Sequence, residues 1–339
     1  VLRNARPVLL AALVICAISI YGLSQVKVES SLESYFQADA PFVIANRAME
    51  KMSGSRTINI VITKTGEEEP WKNPDNLKVV EEFQEFLANE PRVKRTLSLV
   101  DLIKRISYAF NENRKEYNRL PNGFEFLESE EIFEENGQTV KRTVKREISG
   151  RDLIAQYLVL YENSGGDVLS DVVDSEYLNL NLAVTISSNS TTEEEKLLQS
   201  IEDYAVRQFP QGFSMTSSGM VPINVATSNE VVTSQIRSLS GSILAVFLML
   251  ALIFRSVTRG LMGMIPLVFT VLFNFGVMGF FDVHLDIGTA LVSSIVIGIG
   301  VDYSIHYLSR MFHELGDGIE LHDAISNTVR RSGKAITYN

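Results

Sequence analysis

Four apolar blocks, near residues 7–23, 239–254, 261–281 and 285–309, decide most of what this chain can become. Each is close to the roughly 20 residues that carry a helix across a bilayer. Inside hydrocarbon only a helix or a closed barrel satisfies its own backbone groups, so four such blocks predict an α-helical transmembrane bundle. The overall apolar content, 45%, is ordinary for a soluble protein and hides this concentration. Everything between the first and second block reads as polar and globular.

The first block, PVLLAALVICAISIYGL, follows Arg3 and Arg6 as a signal peptide would. Its apolar core is longer than a signal peptide's and no A-x-A site follows, so it reads as a retained span. Lys and Arg cluster before the first span (Arg3, Arg6), between the second and third (Arg255, Arg259) and after the fourth (Arg310, Arg330, Arg331, Lys334). The link between the third and fourth, FDVHLD, has none. This alternation places the N-terminus and the chain after residue 310 in the cytoplasm and residues 25–236 outside. The expected domains are residues 1–24, the tail and first span; 25–236, an extracytoplasmic domain; 237–311, spans two to four; and 312–339, a cytoplasmic amphipathic segment.

Charge and rare residues exclude several functions. Counted through Arg237, the external region holds 23 Lys and Arg against 34 Asp and Glu, a balance of −11 that argues against nucleic acid as a partner. The one cysteine, Cys16, lies in the first span, so no internal disulfide or thiolate metal site is available. All four histidines (His284, His306, His313, His322) fall after residue 280. The external domain therefore lacks the parts of a Ser-His-Asp triad, a Cys nucleophile or a His-ligated zinc site, and only carboxylate chemistry is left to an enzyme there. Gly333-Lys334 has neither the upstream glycine nor the following Ser or Thr of a phosphate loop. The run Glu67-Glu68-Glu69 and the cluster Asp167, Asp171, Asp174 match no calcium loop, and solvated faces explain them. No metal or organic cofactor is expected.

The external region has its own periodicity. RTINIVITK (56–64) reads as a strand, followed by a helix in NPDNLKVVEEFQEFLANEP (73–91). YLNLNLAVTISS (177–188) reads as a second strand, followed by a helix over 191–210 with a Thr cap and a returning strand in FSMTSSG (213–219). Two such units predict a split β-α-β domain of α+β class. An insert over 98–176 separates them, mostly helical with a Glu-rich turn at 125–137. Its aromatic and Leu positions suit an apolar cleft or an ordinary core.

The fourth block ends in Gly298-Ile299-Gly300-Val301-Asp302-Tyr303-Ser304-Ile305-His306-Tyr307, which puts a carboxylate where hydrocarbon belongs. Helical spacing sets Ser294, Gly298, Asp302 and His306 on one face. An Asp at the bilayer centre costs roughly 2.5–3.5 kcal/mol, so it is expected to point into a protein bundle or a wet cavity. Gly298 and Gly300 remove bulk beside it and let another helix approach. Burial disfavours the charged form and lets the carboxyl exchange protons in the physiological range. Two structural readings stay open beside this one: an acceptor that locks two helices, or a hydrated group near the inner interface. Asp302 falls about 17 residues after Leu285, roughly 26 Å along a helix axis. His306, one turn further on, suits a proton partner or an interfacial histidine.

The order of one span, a large external domain and three more spans with GIGVDYSIHYLSR on the fourth resembles the resistance-nodulation-division (RND) superfamily. Within it the likeness is to MMPL and Patched-like exporters, whose fourth span carries Gly-x-x-x-Asp, often Asp-Tyr. SGMVPINVATSNEVVTSQIRSLS (218–240) is similar to the same family. The resemblance implies a porter-like external domain and proton-driven export of lipids or other hydrophobic or amphiphilic molecules across the cytoplasmic membrane. Asp302 would be the relay residue, Tyr303 its hydrogen-bonding neighbour, protons the coupling ion and membrane lipid the surroundings. It does not imply a role for His306. Family members usually carry two six-span repeats, whereas this chain begins at Val1 and stops at SGKAITYN. A partial chain is therefore expected, completed by a second repeat or a homo-oligomer. A lipid- or sterol-sensing protein, or an accessory subunit of protein export, has the same architecture without efflux.

Overall fold

The structure, a computed structural model, describes residues 5–29, 36–37, 39–135, 138–188 and 190–338. Contacts divide the chain into two compact units, Val1–Ser34 with Ala226–Asn339, and Tyr35–Val225. The chain opens with α1 (Ala5–Leu23) of the first unit and enters the second through α2 (Pro41–Met52). There follow β1 (Arg56–Lys64), α3 (Pro74–Ala88), β2 (Val93–Leu97), α4 (Leu99–Phe110), β3 (Phe124–Glu135), β4 (Gln138–Ser149), α5 (Gly150–Asn163) and α6 (Leu169–Val172). The second unit closes with β5 (Asn179–Ile186), α7 (Thr191–Gln208) and β6 (Phe213–Ser218). The chain returns through α8 (Met220–Ile253), α9 (Val257–Phe280), α10 (Ile287–Gly316) and α11 (Leu321–Tyr338).

In the Tyr35–Val225 unit, alternation in β1 and β5 buries one side of each strand. Ile58, Ile60 and Ile62 stand opposite Val184, Leu182 and Leu180, all six fully buried. Each such side chain contributes roughly 1.5–3 kcal/mol when removed from water. The sheet order is β2-β5-β1-β6, with every neighbouring pair antiparallel. β1 and β2 are therefore parallel with β5 between them, the split β-α-β arrangement in which each half of the sheet interlocks with the other. Leu77, Val80, Phe83 and Leu87 of α3 and Leu197, Leu198 and Ile201 of α7 share the resulting core. Asn73 caps α3 by accepting from Asp75 N at 3.0 Å, with Pro74 at the first helical position.

Three local readings change here. The cap of α7 is Ser190, which accepts from Glu193 N, one residue before the expected Thr. Of the segment read as a Glu-rich turn at 125–137, residues 125–135 lie in the 12-residue strand β3, which pairs with the 12-residue β4, and 136 and 137 lie outside the described residues. An acidic strand lies against a basic one there, with Glu128 opposite Lys145 and Glu131 opposite Arg142. The third change concerns α8, which starts at Met220, 19 residues before the apolar run that announced it. Val221 and Val225 lie in the core of the α+β unit, which makes this first turn apolar on one side only.

In the other unit, α1, α8, α9 and α10 are each long and apolar enough to cross a membrane. α1 and α9 meet through small residues. A Cβ on Gly22 would lie 2.3 Å from the Gly276 carbonyl oxygen, and one on Gly279 would lie 1.7 Å from the Gly22 oxygen. A Cβ on Gly276 would lie 2.6 Å from Ser19 Cα, so these four positions form one backbone-to-backbone contact of the kind that holds membrane helices together. Lys27 Nζ meets Asp282 Oδ1 at 2.8 Å, and Leu285 N donates to Lys27 O at 2.8 Å, fixing the end of α1 to the α9–α10 link. α11 docks on the last turns of α10, where Asn327 donates to Glu314 at 3.1 Å and Thr328 is fully buried.

Candidate functional site

α10 begins at a capping box: Thr289 N donates to Asp286 Oδ1 at 2.7 Å and Asp286 N donates to Thr289 Oγ1 at 2.8 Å. The helix then runs 30 residues without a break, which settles where Asp302 stands along it: fifteen residues after Ile287 and fourteen before Gly316.

One face of α10 packs. Ser293, 2% exposed, accepts from Asn274 Nδ2 of α9 at 2.9 Å. Gly300 leaves its Cβ position 3.8 Å from the side chain of Thr270. Ser304 is buried and returns its hydroxyl to Gly300 O at 2.9 Å, and Leu308 joins Leu250, Met264 and Leu267 in a shared apolar cluster.

The neighbouring face carries the residues singled out from sequence. Ser294 donates to Ala290 O at 3.1 Å, and the Cβ position of Gly298 has no atom within 4 Å. Asp302 Oδ1 lies 3.4 Å from His306 Nε2, their side chains 69% and 71% exposed. The i, i+4 spacing on one helix is what brings this carboxylate and imidazole together. Tyr303, adjacent in sequence, points about a third of a turn away; it is half-buried and makes no hydrogen bond among the described residues. The structure thus brings Asp302 and His306 together and leaves Tyr303 apart. Among the described residues no helix approaches Gly298, while close helix contacts occur at Gly22, Gly260, Gly263, Gly276 and Gly279. The described residues likewise do not supply the burial expected around Asp302.

The acidic clusters of the α+β unit build turns. Glu67 accepts from Asn73, Asn76 and Arg151. Burial pushes its carboxyl up, but the hydrogen bonds from Asn76 and Asn73 and the positive charge of Arg151 outweigh it and hold the group below the usual carboxylate range. Asp174 accepts from the backbone of Leu178 and Asn179. Among the described residues no group of three or more His, Cys, Asp or Glu side chains is placed to hold a metal ion.

Sequence reasoning missed two parts of the helical unit. The first is the glycine contact just described, whose signal was small residues three apart, Ser19 with Gly22 and Gly276 with Gly279. The second is a polar row on α8, where Glu230, Ser234 and Gln235 recur at helical spacing.

Comparison with known proteins places this geometry. Residues 44–338 match the MMPL family. A protein of Methanocaldococcus jannaschii whose name gives it only as a membrane protein is 27% identical over 148 residues. That match covers 42% of this chain and 38% of the relative. With a family match across most of its length and four helices of membrane-spanning character, the chain belongs to the MMPL family and is a membrane protein.

Proposed function

We propose that this chain forms part of a proton-driven transporter that exports lipids or other hydrophobic or amphiphilic molecules across the cytoplasmic membrane. The observation that carries the reading is the Asp302–His306 pair, 3.4 Å apart on a helix of membrane-spanning character. An ionisable group in that position is expensive, which is why such groups mark ion pathways. Asp302 takes a proton from the outer side and releases it inside. The change of charge on Asp302 alters how α10 sits against its neighbours, and the external domain follows.

His306 shares the proton, and Tyr303 completes the motif without touching Asp302. A second transmembrane repeat or a second copy of the chain covers the Asp302 face. Arg6, Arg255, Arg259 and Arg310 mark the cytoplasmic side, which puts the α+β unit outside in the position of a porter domain. Protons are the only coupling partner and the protein is not an enzyme.

Efflux of a fluorescent lipid from vesicles containing the full-length protein tests this. Imposing a proton gradient drives efflux by the wild type, and Asp302→Asn removes the gradient-dependent part. Equal efflux by the variant would sink the assignment.

A further inference from the structure

We infer that the groove between α1 and α9 holds one acyl chain of an anionic phospholipid, taken from the leaflet on the Arg6 side of the membrane. This goes beyond the transport reading and does not depend on it. The two helices touch backbone to backbone at Ser19, Gly22, Gly276 and Gly279, and the groove opens where that contact ends. Ala12 and Cys16 of α1 and the buried Met264 of α9 line its inner side, and Leu13, Leu261 and Ile265 stand exposed along it. Thr258, at the end away from the glycines, carries the only hydroxyl among the lining residues.

The size of the groove selects among apolar occupants. It encloses about 610 Å³. Spread over the roughly 21 Å that α9 rises from Thr258 to Leu272, this volume makes a channel roughly 6 Å wide, too narrow for a helix of about 10–12 Å diameter. A single hydrocarbon chain fits it. Left empty, the lining side chains would forfeit their dispersion contacts, and lipid tails are the apolar material that surrounds them. The charge comes from the mouth. Arg6 lies one turn before Leu9 on the face of α1 that borders the groove, and Arg255 precedes Thr258 by three residues in the α8–α9 link. Both are exposed, and neither makes an ion pair among the described residues. Arg259, by contrast, is engaged by α10, its guanidinium 5.2 Å from the centre of the Phe312 ring. Two unpaired guanidinium groups at the end of an apolar channel suit a phosphate at the end of an acyl chain.

The site is tested with the full-length protein in phosphatidylcholine vesicles that contain a trace of phosphatidylglycerol carrying a photoactivatable diazirine midway along one chain. After irradiation, mass spectrometry of the peptides is expected to find the label concentrated on Leu9–Cys16 and Leu261–Leu272, and sparse on the similarly exposed apolar stretches Leu244–Ile253 of α8 and Leu291–Ile295 of α10. Arg6→Gln or Arg255→Gln should each lower labelling of the groove about fivefold, the share of affinity that one basic residue gives toward anionic lipid. Ala12→Phe fills the groove and should abolish its labelling while that of α8 and α10 stays unchanged. Labelling spread evenly over α1, α8, α9 and α10 would overturn the site as ordinary bulk lipid. So would an equal yield from phosphatidylcholine bearing the same diazirine, or a groove left unlabelled because another protein segment covers it. Labelling needs no proton gradient, so its failure is distinct from failure of the Asp302→Asn efflux test.

Discussion

Two faces of α10, about a third of a turn apart, follow different rules. On one, Ser293, Gly300, Ser304 and Leu308 are held by α9 through a hydrogen bond, a close approach and an apolar cluster. On the other, Ser294, Gly298, Asp302 and His306 meet no helix among the described residues, and the only ion pair runs along the helix itself. Small residues occur on both, so smallness alone does not mean packing. On the first face Gly300 lets the Thr270 side chain of α9 come into contact; on the second Gly298 meets no described neighbour.

The largest test of that contrast is a pair of glycines. Gly279→Leu drives a side chain into the Gly22 backbone, where even a Cβ would sit 1.7 Å away, and should destabilise the α1–α9 contact by about 3 kcal/mol. Gly298→Ala adds a Cβ that meets nothing within 4 Å among the described residues and should leave stability within about 0.5 kcal/mol of wild type. Thermal unfolding in detergent separates them, and similar losses from both would erase the distinction.

Hydrogen bonding gives a smaller version. Asn274→Ala removes the donor to buried Ser293 and should cost about 0.6 kcal/mol, the average for such bonds between membrane helices. Ser294→Ala removes only a bond within α10 and should change stability little.

The smallest expected effect concerns a carboxylate of the other unit. Glu67, held below the usual range near 4.5, stabilises the folded chain above that range, and the contribution fades as pH falls through its folded value. Glu67→Gln should therefore lose a little stability at pH 7 and show a flatter acid limb below pH 4.5, read by unfolding across pH. An acid limb identical to wild type would show that Asn73, Asn76 and Arg151 do not act through its charge.

The legible parts of the molecule were those with a strong period. Ile58, Ile60 and Ile62 announced a half-buried strand, and the apolar runs announced the membrane helices, though α10 runs seven residues past its apolar block and α8 starts 19 residues before its own. Its start at Met220 was hidden because Thr227, Ser228, Asn229, Glu230 and Gln235 lower the hydropathy of a stretch that is helical all the same. The β3–β4 pair was hidden for a related reason: charged residues dominate both strands, so neither shows an apolar alternation. At the site, Asp302 and His306 could be found because i, i+4 spacing is a property of one helix. The Gly22–Gly276–Gly279 contact could not, since it depends on which two distant helices meet.

The central claim is that Asp302 carries the coupling proton, and proton movement during transport tests it most directly. Full-length protein in vesicles loaded with a pH-sensitive dye is given a transported lipid with no proton gradient imposed. Wild type is predicted to move protons against the lipid flux, and Asp302→Asn to move none. Lipid export by wild type without any proton movement, or proton movement unchanged in Asp302→Asn, would contradict it.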